Sequence, residues 1–304
     1  MSVDRLLSSA EPAVRLLTLT EVLGESPRSG AVRAARSETV DSPLVRALSR
    51  DHGVHPYAKW QGAFWRLNAL VELGVPPSHE GARLAADAAL AWLDTPAHRN
   101  RPVIAGLVRR CASQEGNGLW AAVRLGLEKD PRARRLVDTL VESQWPDGGW
   151  NCDRKLKATH SSFHESFAPI VGLAAYAERT GDERAGAAAA RGAEFFLRHH
   201  VYCSERTGEP WPKLERLRYP AYWHYDALVG LTTLLRSVGL GDARVGRALD
   251  LLEAKRRPDG LWRVEGRWWL APGRAGRNVE AVAWDGTAGE LMSIRALAAL
   301  SAAR

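Results

Sequence analysis

Residues 130–150, DPRARRLVDTLVESQWPDGGW, lie over residues 242–262, DARVGRALDLLEAKRRPDGLW, without a gap. Nine of the 21 positions are identical, at an offset of 112. A weaker copy begins at Asp182-Glu183-Arg184, so D-x-R starts fall at 130, 182 and 242. Just upstream of each sits a Gly-containing string: Leu125-Gly126-Leu127, Thr180-Gly181 and Val238-Gly239-Leu240, with an earlier one at Leu73-Gly74-Val75. A unit of 52–60 residues thus recurs at least four times, the mark of a repeat architecture.

Each unit reads as two helices. The first is apolar and rich in small residues, over 63–73, 119–127, 167–177, 227–238 and 291–299. The second is amphipathic with Arg on one face, over 82–93, 131–143, 183–198 and 243–255. In Val137, Leu140 and Val141, and in Ala248, Leu251 and Leu252, apolar residues fall at i, i+3 and i+4. Asp130 and Asp242 stand at N-cap positions, Pro131 at a favoured N1, and the P-D-G triplets at 146–148 and 258–260 close the second helices with turns. A nearly all-apolar helix is buried on most sides, whereas an amphipathic one faces solvent. Alternating them predicts an all-α fold, an α/α toroid of five to six hairpins with inner and outer rings. Residues 1–50 supply further helices (14–23, 31–36, 44–48) that complete the ring. No Pro/Gly/Ser linker divides the chain, so the expectation is one domain over 1–304. The segments 201–219 and 263–284 read as long loops, often functional in compact domains.

Composition narrows the class. The chain has 304 residues, 45% apolar and 25% charged, and a net charge of +7. The basic residues are spread out, mostly Arg, and form no run, which argues against a nucleic-acid partner. Three Cys exclude a disulfide framework and suit a reducing compartment. With no signal-like N-terminus and no apolar run long enough for a membrane span, the expected location is cytoplasmic. Twelve Trp are unusually many.

Gln144-Trp-Pro-Asp-Gly148-Gly-Trp150 resembles the Q-x(2–5)-G-x-W core of the "QW" repeat of squalene–hopene and oxidosqualene cyclases and, more loosely, of protein prenyltransferase β-subunits. Lys255 to Trp262 has the G-x-W end with a basic residue for the Gln, and Gln114 to Trp120 fits the string in another position. Lys59–Ala63, Cys111–Asn117, Gln144–Asp153 and Tyr219–Asp226 are similar to bacterial proteins of the prenyltransferase/squalene oxidase repeat type. The resemblance spans roughly residues 55–300 and implies the same α/α toroid. It also implies an apolar, isoprenoid-like substrate, as a diphosphate in the prenyltransferases. The known chemistries do not transfer intact. The D-x-D-D proton donor is absent. Asp285-Gly-Thr-Ala-Gly-Glu290 only approaches D-C-T-A-E, and no D-x-C begins an inner helix. The physical reading of Trp150 and Trp262 is structural: each caps a hairpin.

Polar residues recur where inner helices begin, and repeat symmetry brings them to one rim. They are Tyr57, Lys59 and Trp60; Cys111, Gln114, Glu115 and Asn117; Asn151, Cys152, Asp153, His160, His164 and Glu165; Trp223, His224 and Asp226; and Trp284 and Asp285. Cys152, His164 and His224, with Asp226, are the first choice as zinc ligands, with Cys111 and Glu115 as alternates, because catalytic zinc takes three protein ligands and a water. Glu115, Asp153, Glu165, Asp226 and Asp285 are candidate acids, since an apolar cavity raises a carboxyl pKa. Tyr57, Lys59, Trp60, Trp120, Trp223 and Trp284 are candidate substrate contacts, the aromatic ones through cation–π attraction. All these groups also suit helix capping and core packing. The expectation is a terpenoid-cyclase or prenyltransferase-like enzyme. The alternatives are a non-catalytic toroid that binds a lipid or protein, and another α/α-toroid enzyme, glycosidase-like or zinc-dependent.

Overall fold

The computed structural model describes residues 2–303, and the chain is all-α as the repeats imply. Its helices are α1 Ser2–Leu7, α2 Pro12–Leu17, α3 Gly30–Val40, α4 Pro43–Ser49, α5 Ala63–Glu72, α6 Glu80–Leu93 and α7 Pro96–Arg99. They continue with α8 Ala112–Arg124, α9 Pro131–Ser143, α10 Phe163–Thr180, α11 Glu183–Arg198, α12 Ala227–Leu235, α13 Gly246–Ala254 and α14 Thr287–Ala302. One short antiparallel hairpin, β1 Val103–Ile104 with β2 Leu107–Val108, interrupts them. The α/α hairpins from which a toroid is built are therefore present at the predicted places. No described helix is long and apolar enough to cross a membrane. Contacts divide the chain into two compact units. The first holds residues 1–88, 216–221 and 249–304, the second 89–215 and 222–248.

The D-x-R starts are self-contained caps. Asp130 accepts from the Arg132 backbone N–H at 2.8 Å, and its carboxylate also holds the Arg132 guanidinium. Asp242 does the same with Arg244, at 2.9 Å to the backbone, and Asp182 accepts from Ala185 N–H at 3.0 Å. Each offsets an orphan amide of a first turn. In α9 the apolar stripe is inward: Ala133, Leu136, Val137 and Leu140 are buried while Arg134 and Arg135 are exposed.

The repeat also reproduces its closing turn. In the second unit Trp150 donates its indole N–H to Leu140 O at 2.9 Å, and its backbone N–H goes to Ser166 Oγ at 3.0 Å. In the first unit Trp262 donates to Leu252 O at 2.7 Å and its backbone to Ser293 Oγ at 2.9 Å. Both rings are buried. Gln144 Nε2 donates to Gly148 O and also to Ala188 O of α11, at 2.7 and 2.8 Å. Arg256 takes the Gln144 place in the first unit and donates to Gly260 O at 3.3 Å. Gly148 and Gly260, at φ +98° and +79°, make the reversal that a side chain would strain.

Three inner helices begin earlier than predicted, α8 at 112 rather than 119, α10 at 163 rather than 167 and α14 at 287 rather than 291. The Gly residues of α8 look like loop in sequence, but they are contact points. A Cβ on Gly116 would lie 2.2 Å from Pro169 N, and one on Gly172 would lie 2.6 Å from Gly116 O. The two backbones cross there with no room for a methyl group. That crossing places the first turns of α8 and α10 side by side.

Candidate functional site

Cys111, Cys152 and Glu165 come together in the second unit. One ligand atom from each lies within 4.8 Å of the others, and the Cys152 thiol donates to Glu165 Oε1 at 3.2 Å. The three come from different segments. Cys111 precedes α8, Cys152 follows the Trp150 turn, and Glu165 sits in the first turn of α10. Arg110 N–H donates to Asn151 O at 3.0 Å, so the stretches bearing the two thiols are tied to each other. Trp145 adds an indole bond to Val108 O at 2.7 Å, and its ring lies under the Arg109 guanidinium at 4.6 Å. Ser162 N–H donates to Trp150 O at 2.8 Å, fixing the approach to α10.

Glu165 is buried, and burial pushes its pKa up from the ordinary carboxylate value. Its Oε2 accepts from both the backbone N–H and the hydroxyl of Ser113, at 3.0 and 2.9 Å, which leaves Oε1 turned to the thiols. The hydrogen bond between the thiols holds Cys111 below the usual thiol range and Cys152 above it, with Cys111 the exposed member. Tetrahedral zinc, with bonds near 2.0–2.3 Å, sets its ligand atoms about 3.3–3.8 Å apart. Two sulfurs and one carboxylate oxygen within 4.8 Å, the oxygen oriented from behind, fit such an ion with small adjustments and leave a fourth position. The third thiol, Cys203, is buried outside this group.

The other predicted residues divide clearly. Glu115 is buried; its Oε1 faces the Arg110 guanidinium and lies 2.7 Å from His98 Nε2, and its Oε2 makes no hydrogen bond. Its charge opposes ionisation of both Cys111 and Glu165, so it stands near the group without belonging to it. His164 and His224 lie outside this group of three. His164 Nδ1 accepts from Tyr225 N–H at 2.9 Å, and the His224 ring stacks on Trp223 with centroids 4.0 Å apart. Asp226 is a buried N-cap, accepting from Val229 N–H at 3.0 Å. Asp153 accepts from Lys155 N–H at 3.0 Å in a loop turn. Trp120 is buried with the Arg236 guanidinium 5.4 Å from its ring.

In the first unit Trp60 and Trp284 are buried, Tyr57 packs on Trp65 with centroids 5.0 Å apart, and Lys59 sits 5.4 Å over the Trp60 ring. Asp285 is more than half exposed and ion-paired with Arg267, so it is not the acid of an apolar pocket. The repeat symmetry pointed to the first turns of the inner helices. It could not select Cys111 and Glu165 over the histidines, because that choice depends on the α8–α10 crossing.

A cavity of about 930 Å³ opens in the second unit, lined by residues of the 147–164 stretch and the 195–214 stretch. Its lining includes Arg198, Arg206, Lys213 and Glu205.

No family model and no curated protein sequence matches the chain. Among solved structures, an unsaturated glucuronyl hydrolase responsible for the degradation of glycosaminoglycan, from Bacillus sp. GL1, is 15% identical. The match covers 95% of this chain and 83% of that one, at a TM-score of 0.46. A second structure, titled UGL with dGlcA-Glc-Rha-Glc, has the same identity and coverage at a TM-score of 0.42. These findings overturn the resemblance to terpenoid cyclases and prenyltransferases and the isoprenoid function drawn from it. The exposed Asp285 and the buried structural Trp rings give the physical reasons.

Proposed function

We propose that the chain is a metal-dependent enzyme holding one Zn²⁺ through Cys111, Cys152 and Glu165, with a fourth position open to water or substrate. The observation that carries this reading is the convergence of three ligand atoms within 4.8 Å. Zinc in such a site polarises a carbonyl or lowers the pKa of a water to about 7. The chain's own residues prepare the place. Ser113 aims the Glu165 carboxylate, Arg110 joins the Cys-bearing stretches, and Glu115 adds a buried negative charge balanced by Arg110. The reaction class is addition or hydrolysis at a polar bond.

Metal analysis by mass spectrometry, on protein purified in reductant and reconstituted with zinc sulfate, tests this. One zinc per chain is expected, lost in Cys111→Ala and Cys152→Ala and kept in His164→Ala. A wild-type chain that retains no metal after reconstitution overturns it.

A second reading, cleavage of a sugar bond, is favoured by one observation. Two carboxylates, Asp147 and Glu205, line the cavity together with the part-exposed Trp211. Release of reducing ends from acidic oligosaccharides, abolished in Glu205→Gln, is the result this reading expects. Its absence across such substrates sinks it.

A further inference from the structure

We propose that the cavity of the second unit is a binding site for an organic anion that carries a flat ring face, the chemistry shared by aryl carboxylates and acidic sugars. The site does not need the metal, and it takes from the sugar reading only the cavity itself. Its volume, about 930 Å³, lies within the range of small-molecule sites.

One wall is aromatic and held rigid. Phe163 packs against Phe195, His199 and Trp211 with centroids 5.1, 5.1 and 5.3 Å apart, and Trp211 lies 5.6 Å from His199. Trp211 is 37% exposed, so part of a braced indole remains available for stacking. The loop behind it is fixed by its backbone N–H, which donates to Tyr202 O at 3.0 Å.

The charges select the sign of the ligand. Arg198, Arg206 and Lys213 line the cavity against Asp147 and Glu205. Asp147 is already satisfied by the Ser161 N–H and hydroxyl, at 2.7 and 2.5 Å. Glu205 stands 3.7 Å from Arg198 Nε and 3.8 Å from His199 Nε2, beyond hydrogen-bond reach of either. Arg198 Nη2 donates to Asp147 O at 2.6 Å, but its Nε–H is buried without an acceptor. That Nε is closed off from the cavity, so the exposed part of the Arg198 guanidinium, with Arg206 and Lys213, is what a ligand meets. A ligand carboxylate is attracted by these three positive side chains, and a cation is repelled by them.

Isothermal titration of the full chain with 2-naphthoate and with digalacturonate tests the inference. At least one of the two acids binds, and which one identifies the source of the ligand. The neutral counterpart of the acid that binds, 2-naphthamide or digalacturonate amidated at both carboxylates, binds at least about tenfold more weakly, because it forgoes the charge-assisted bond. Trp211→Ala and Arg198→Gln each weaken the acid by about tenfold or more, whereas Trp211→Phe keeps most of the affinity and controls for folding. The Cys111→Ala/Cys152→Ala double variant binds the acid like wild type, which separates this site from the zinc reading. Equal affinity for acid and amide overturns the proposal. So does binding unaffected by both the Trp211→Ala and the Arg198→Gln change, or failure of both acids to bind.

Discussion

Trp150 shows how much one side chain carries. Its ring is fully buried, its indole N–H closes on Leu140, and its backbone is held by Ser166. Trp150→Ala removes the packing and the indole donor to the Leu140 carbonyl, so a loss of about 3–5 kcal/mol in urea unfolding is expected. Ser113 acts at the same scale on the proposed metal. Deleting its hydroxyl leaves only the Ser113 backbone N–H to hold the Glu165 carboxylate, and Ser113→Ala should weaken zinc binding by about tenfold in competition with a chromophoric chelator. The composition of the site was visible in sequence, where Cys111, Glu115, Cys152 and Glu165 all fell at the starts of inner helices. Their grouping was not. His164 and Glu165 are neighbours in sequence, yet one accepts from Tyr225 and the other from Ser113, and nothing in their spacing distinguishes them.

At the scale of elements, the crossing of α8 on α10 and the D-x-R caps are the features a test can reach. Gly116→Ala drives a methyl group into the backbone at Ala168 and Pro169, and a destabilisation of about 3 kcal/mol or more is expected. Gly246→Ala, at a helical position open to solvent, should instead stabilise by about 0.5–1 kcal/mol. The same urea series reads both. The cap at Asp242 has a pH signature. The Arg244 side chain and backbone lower the Asp242 pKa from 3.8 to about 2. Its contribution is therefore complete above about pH 4 and lost as pH falls toward 2. The Asp242→Asn variant should unfold with a shallower pH dependence across that window, and salt should shrink the difference. These caps were legible because an Asp two residues before an Arg is a local signal. The early start of α8 was not, because Gly116 and Gly118 read as turn residues until the neighbouring backbone is known.

For the whole molecule, the all-α class followed from the 112-residue offset alone, since two copies of a helix and its closing turn leave little choice of element. The identity of the ligand did not follow, because Trp-rich repeats serve as packing in this chain. Trp60, Trp150, Trp262 and Trp284 are all nearly inaccessible. A metal held by segments from both sides of α9 couples to global stability. At zinc a hundredfold above its dissociation constant, the native state should gain about 2.7 kcal/mol. The melting temperature should therefore fall on adding chelator, and it should not respond to chelator in Cys152→Ala.

The neighbouring sulfurs have a further consequence for handling the protein. Cys111 is exposed and carries the more acidic thiol, so peroxide reaches it first, and Cys152 is close enough to resolve the resulting sulfenic acid into a disulfide with loss of water. The same two atoms cannot then bind an ion. A preparation aged in air would hold less zinc than one kept reduced, and dithiothreitol would restore its capacity, so metal content in this chain also records its history of oxidation.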